Sequence, residues 1–132
     1  MNDPQPLRPS PNRIESFRYA FAGWGYMLRT QPNTWIHAGF SVFALVVGLW
    51  VRLTLGQWAV IALVAGMVWT TEFINTAVEA VVDLTSPEIH PLAKIAKDVM
   101  AGAVLTAAGT AVVVGLLVLG PGVWGKVMGL VR

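Results

Sequence analysis

Apolar residues follow two rhythms along this chain. From Arg13 to Arg29 they recur at spacings of three and four, as Ile14, Phe17, Phe21, Trp24 and Leu28. That spacing draws one apolar stripe down a helix and leaves Arg13, Arg18 and Arg29 off it. A basic amphipathic helix ahead of a membrane span lies flat in the interface or packs on the protein's own spans. Pro32 ends this helix, and from Thr34 long apolar runs take over. Thr34 to Val51 holds eighteen residues, roughly 27 Å of helix, which matches the hydrocarbon thickness. Trp35 and Trp50 sit at its two ends, where an aromatic belt belongs. After a short turn over Arg52 to Gln57, a second span runs from Trp58 to about Asp83. Leu84 to Pro91 is a break, because Ser86 and His90 each precede a proline and are steered away from helix. Pro91 suits the first position of a new helix. A third span follows from Val99 to Leu119, and Gly120-Pro121-Gly122 is expected to stop it, leaving a short tail over 121–132. Ahead of all this, Pro4, Pro6, Pro9 and Pro11 predict a flexible arm over 1–12.

The pattern therefore predicts an all-α membrane protein, a surface helix plus three transmembrane helices, with a single domain over 13–120. Ala103, Ala107, Ala111 and Gly115 form a small-residue edge on the third span, with shorter versions at Ala44/Gly48 and Ala62/Gly66. Such edges let backbones approach closely in lipid. Three spans make a thin bundle, so burying the acidic stripe that follows Trp69 is expected to need more than one copy of the chain.

Composition narrows the function. Of 132 residues, 55% are hydrophobic and only 12% charged, too apolar for an ordinary soluble domain. A net charge of +2 gives no case for nucleic acid. Cysteine is absent, which removes disulfides, thiol nucleophiles and thiolate metal sites. Two histidines, His37 and His90, argue against a histidine-rich zinc site. His37, one turn inside the first span, reads as a headgroup or helix-contact residue. The first long apolar run begins only near Thr34, so no cleavable signal peptide is expected. With the N-terminus inside, Arg8, Arg13, Arg18, Arg29, Lys94 and Lys97 are cytoplasmic, against Arg52, Lys126 and Arg132 outside. That asymmetry orients the chain.

The informative stretch is Trp69 to Asp98. It holds Glu72, Glu79, Asp83, Glu88 and Asp98, five of the chain's seven acids. At about 100° per residue, Glu72, Glu79 and Asp83 fall within roughly 20° of one line down a helix, flanked by Asn75 and Thr76. A charged group at the centre of a span costs about 2.5–3.5 kcal/mol on insertion scales, so acids there are functional candidates. Three chemistries fit. Carboxylates hold Mg²⁺ together with phosphates, take a proton from a hydroxyl nucleophile, or relay protons and ions across a membrane. Lys94 and Lys97, just past the loop, add phosphate-binding charge at the aqueous edge and favour phosphoryl transfer. No Walker or protein-kinase motif is present.

The stretch from Glu72 to Leu105, EFINTAVEAVVDLTSPEIHPLAKIAKDVMAGAVL, closely resembles the signature of the small prokaryotic lipid kinases, the diacylglycerol kinase and undecaprenol kinase family. The motif is E-x-x-N-x-x-x-E-x-x-x-D, a short loop, then K-D, and the resemblance runs from about Ile14 to Leu119. It implies a homotrimer in a bacterial inner membrane, with active sites shared between subunits and open to the cytoplasm. It also implies Mg²⁺-dependent transfer of a phosphoryl group from ATP to a membrane lipid alcohol. By match to the motif, Glu72 is the general base, meeting the lipid together with Asn75. Glu79 is a metal ligand. Asn75, Glu79, Asp83, His90, Lys97 and Asp98 line the ATP site. Many members carry a glutamate metal ligand in the turn after the surface helix. Here that turn reads Thr30-Gln31-Pro32-Asn33, so Gln31 offers a carbonyl oxygen without charge. Ile89 stands where an aromatic is common.

His90 to Asp98 looks more like the undecaprenol kinase branch, so undecaprenol is the expected acceptor, with diacylglycerol as the alternative. A lipid-phosphate phosphatase lacks its arginine-histidine cluster. The non-enzymatic alternative is a proton- or ion-conducting oligomer. Against it, Trp58 to Trp69 contains no ionisable group.

Overall fold

A computed structural model describes residues 12–86 and 90–130 and consists of four helices. They are α1 (Arg13–Thr30), α2 (Pro32–Val51), α3 (Leu55–Thr85) and α4 (Pro91–Leu130). The proline-rich arm over 1–11 and the loop residue Ile89 lie outside the described residues.

Local chemistry sets most of the boundaries. Asn12 caps α1, its side-chain oxygen accepting from the Glu15 amide at 3.0 Å, which satisfies one of the first-turn donors. Gln31 leaves helical geometry, and Pro32 opens α2 at a position where a missing N–H costs nothing. Arg52 closes α2 in the left-handed region at φ 60°. α3 begins three residues earlier than the apolar run suggests. Thr54 and Gln57 form a reciprocal capping box, with Thr54 N–H donating to Gln57 Oε1 at 2.9 Å. His90 caps α4: its Nδ1 accepts from Leu92 N–H and its carbonyl from Lys94 N–H.

One expectation fails outright. Gly120-Pro121-Gly122 does not stop the last helix, which continues through Pro121 to Leu130. A proline within a membrane helix is tolerated where neighbouring helices or a local adjustment of the helix re-satisfy the backbone groups it frees. The next residue also has a tertiary role. A Cβ at Gly122 would lie 2.9 Å from Val51 Cβ, so the glycine is where α4 passes the end of α2. The expected tail is therefore helix as far as Leu130.

α3 packs most extensively on α4, with α2 against both and α1 against α2. The apolar core is small: Met27, Ile61, Val68, Ala107 and Leu119. Three helices are long and apolar enough to cross a membrane, yet in the most apolar windows of α2 and α4 only 11% of residues are buried. Most of their apolar surface faces outward, as lipid or neighbouring copies require. Of the small-residue edges, Ala107 is buried and Gly48 sits tight against Trp58, while Gly66 is open.

α1 keeps Ile14, Phe17 and Phe21 exposed and docks through its other residues. Trp24 packs on Trp69 and Phe73 of α3, with ring centroids 4.9 and 4.8 Å away. Met27, one turn on, is fully buried. Trp35 Nε1 on α2 donates to the Leu28 carbonyl at 3.1 Å and pins the corner between the two helices.

Candidate functional site

The polar stripe of α3 descends from exposed to buried. Asp83 is exposed, Glu79 half-buried, and Asn75, Thr76 and Glu72 buried. Glu72 retains 1% of its accessible surface, and neither carboxylate oxygen has a hydrogen-bond partner. A single chain therefore buries the deep acid of the stripe, while Glu79 stays half-buried and Asp83 exposed. Beside Glu72, Trp24 of α1 packs on Trp69 and Phe73, three residues before and one after it on α3.

Two pairs of the expected site residues meet. Asn75 Nδ2 donates to Glu79 Oε1 at 3.1 Å, leaving Asn75 Oδ1 buried without a partner. Lys97 Nζ donates to Asp83 Oδ1 at 2.5 Å, joining α4 to the exposed end of the stripe. Other residues are placed apart. Asp98 accepts from Lys94 one turn back rather than joining Lys97. His90 is occupied with capping α4. Gln31 is half-buried, and among the described residues no hydrogen bond ties its amide to an acid.

The site also draws in His37, expected as a headgroup or helix-contact residue, and two residues that the pattern of the sequence did not single out, Thr34 and Ser41. His37 Nε2 lies 3.8 Å from Glu72 Oε2. Thr34, one turn before it on α2, is wholly buried with its hydroxyl unpartnered. Ser41 donates to the His37 carbonyl at 2.8 Å and accepts from Trp69 Nε1 at 3.1 Å. The available signal was the i, i+3 spacing of Thr34 and His37, which puts two polar groups on one face of an apolar span.

The donor set can be tested against Mg²⁺. Among the described residues no three acids or histidines converge as a cage. Mg²⁺ seldom uses an all-protein cage, since it keeps waters and shares phosphate oxygens, needing one or two protein donors. Glu79 and the orphaned Asn75 Oδ1 supply two hard oxygens, so the residues fit a phosphate-borne ion.

The family profile of the prokaryotic diacylglycerol kinases matches residues 18–119. The chain belongs to that family. Its relatives carry both lipid names. It is 46% identical over 117 residues to a diacylglycerol kinase of Synechocystis, an alignment covering 84% of this chain and 67% of the relative. It is 38% identical over 120 residues to the undecaprenol kinase of Bacillus subtilis, covering 90% of this chain and 98% of the relative. A diacylglycerol kinase of Helicobacter pylori is 28% identical over 102 residues, covering 72% of this chain and 80% of the relative. Membership in the family makes the protein a small integral-membrane lipid kinase, with phosphoryl transfer to a membrane lipid hydroxyl as its class of reaction.

Proposed function

We propose that the protein transfers the terminal phosphoryl group of ATP to the hydroxyl of diacylglycerol. The observation that carries the chemistry is Glu72, a buried carboxylate with both oxygens unpartnered at the deep end of the stripe. The acceptor departs from the undecaprenol expectation. The family's description and the 46% identical relative both carry the diacylglycerol name, which outweighs the likeness of His90 to Asp98 to the other branch. Undecaprenol is the second reading, favoured by the Bacillus relative aligned over 98% of its length.

A lipid hydroxyl does not ionise by itself near neutral pH. Glu72 takes its proton as the oxygen attacks the terminal phosphorus, the new P–O bond forms, and the bond to ADP breaks. A positioned base contributes about 10²–10⁴-fold. Asn75 orients the lipid hydroxyl and, with Glu79, presents oxygen donors to the metal. Mg²⁺ bound with ATP would neutralise charge across the transferring phosphates. Asp83, Lys97, Asp98 and His90 form the nucleotide side, with Lys97 directed to phosphate. Gln31 adds at most a neutral oxygen, so metal binding rests mainly on Glu79. Assembly as a homotrimer with shared sites, and a cytoplasmic N-terminus and active site in a bacterial inner membrane, complete the reading. The outward apolar surface of α2 and α4 and the arginine and lysine asymmetry support it.

The test is ATP consumption by purified protein in Mg²⁺-containing mixed micelles, offered diacylglycerol and undecaprenol separately. Faster turnover with diacylglycerol, lost in Glu72→Gln, is expected. Faster turnover with undecaprenol would reverse the acceptor, and near-normal turnover in Glu72→Gln would remove the base. ATP-independent proton flux in vesicles, with no turnover of either lipid, would favour the conducting oligomer instead.

A further inference from the structure

We infer that His37 is a positioning residue for Glu72: when the substrates bind, its Nε2–H closes onto one carboxylate oxygen and so aims the other at the lipid hydroxyl. This rests on the reading of Glu72 as the base. The geometry behind it is a pair of orphans. His37 Nε2 and Glu72 Oε2 face each other at 3.8 Å across α2 and α3, and both are buried without a partner. Among the described residues no other acid lies within 4 Å of the imidazole. On its other side His37 lines a groove of about 450 Å³ between α2, α3 and α4. Ala108, Ala111 and Val112 of α4 line the same groove and carry nothing ionisable.

The pair is held in register by a tie on the same level. Ser41 links the His37 carbonyl to the indole N–H of Trp69, three residues before Glu72. The Trp69 ring also stands edge-on to the imidazole, with centroids 6.5 Å apart. The tie joins α2 to α3 at the level of the pair, where a small side-chain rotation suffices to bring the two groups together. Closing 3.8 Å to a hydrogen bond of about 3.0 Å takes a shift of about 0.8 Å. Catalytic hydrogen bonds are often long before substrate binds and tighten afterwards. Neutral imidazole carries its proton on one nitrogen, and the partner at Nε2 selects that nitrogen. A carboxylate held at one oxygen cannot swing, which gives the free oxygen the defined direction that proton abstraction needs.

Kinetics and NMR on the full-length protein test this together. His37→Leu is expected to lower kcat about 10–100-fold, a part of the contribution of a positioned base, with KM for lipid and ATP within about twofold. His37→Gln, which keeps an N–H donor, should recover most of the loss. The chain has two histidines, so histidine-selective ¹⁵N labelling gives two ring systems, and His90→Gln assigns them. With lipid and a non-hydrolysable ATP analogue bound, the His37 ring should carry its proton on Nε2, and that resonance should move in Glu72→Gln. Unchanged kcat in His37→Leu, equal loss in the leucine and glutamine variants, or an Nε2 resonance indifferent to Glu72→Gln would each overturn the inference. If His37→Leu does not fold, the Nε2 response decides alone. Near-normal turnover in Glu72→Gln overturns the base reading itself and needs no His37 variant to be seen.

Discussion

Replacing Glu72 by methionine should leave the protein inactive and more stable. Glu72 is 1% exposed, and neither of its carboxylate oxygens accepts a hydrogen bond. A buried polar group without a partner costs about 1–3 kcal/mol. Methionine removes the carboxyl, keeps a flexible side chain of similar length, and adds apolar packing beside α1. His37 Nε2 is unpartnered in the resting protein and stays so in the variant, so its own cost cancels. The expected gain is therefore about 1–3 kcal/mol. At roughly 3–5 °C per kcal/mol for a chain of this size, that raises the unfolding midpoint by several degrees. Tryptophan fluorescence during heating in detergent reads it directly, since Trp24 and Trp69 stack next to the site. Size-exclusion elution controls for assembly. A fall in the midpoint by a similar amount would refute the reasoning. It would mean that the carboxyl is satisfied at rest and that stability is not being given up for function at this position.

Gly122→Ala should cost about 1–3 kcal/mol, because its new methyl would sit 2.9 Å from Val51 Cβ and force α2 and α4 apart. Gly125→Ala, with nothing within 4 Å, should gain up to about 1 kcal/mol from helix propensity. Equal unfolding midpoints for the two variants would contradict the close crossing. Lys97→Met should raise KM for ATP while leaving the midpoint near wild type, since its pair with Asp83 is open to solvent. A joint loss of stability and activity would mean that the pair holds α3 to α4 rather than serving the nucleotide.

The helices were legible because their signals are local and strong. The start of α4 at Pro91 and the polar stripe from Glu72 to Asp83 need only chain geometry. The start of α3 was legible too, in Thr54 and Gln57, but the charge and glycine of the turn drew the boundary to Trp58. Continuation past Pro121 was not legible. The packing that accompanies it, where Gly122 passes Val51, joins residues seventy-one positions apart in the chain. The burial of Glu72 was hidden for a related reason. The stripe of α1 leaves open whether it meets lipid or the spans; its Trp24 end packs on α3 while Ile14, Phe17 and Phe21 stay exposed, and nothing in the period says that Met27, off the stripe, is the residue buried. His37 reads as a headgroup or helix-contact residue, and which residue it contacts, Glu72, emerges only once α2 and α3 pack.

The length of α3 explains why the stripe is placed where it is. Thirty-one residues make a helix of about 46 Å, some 16 Å more than the hydrocarbon core needs. In the proposed orientation α3 enters the membrane near Leu55 and uses about 20 residues to cross it, emerging near Asn75. Glu72 then lies just below the surface, at the depth of a lipid hydroxyl, and Asp83 stands in water. The distance between them, eleven residues or roughly 16 Å along the axis, equals the surplus. In that orientation one continuous helix carries the proposed base at headgroup depth and acids at the aqueous edge, and α4 brings Lys97 to Asp83 at that edge. A span trimmed to the bilayer would offer the lipid or the nucleotide a polar face, but not both.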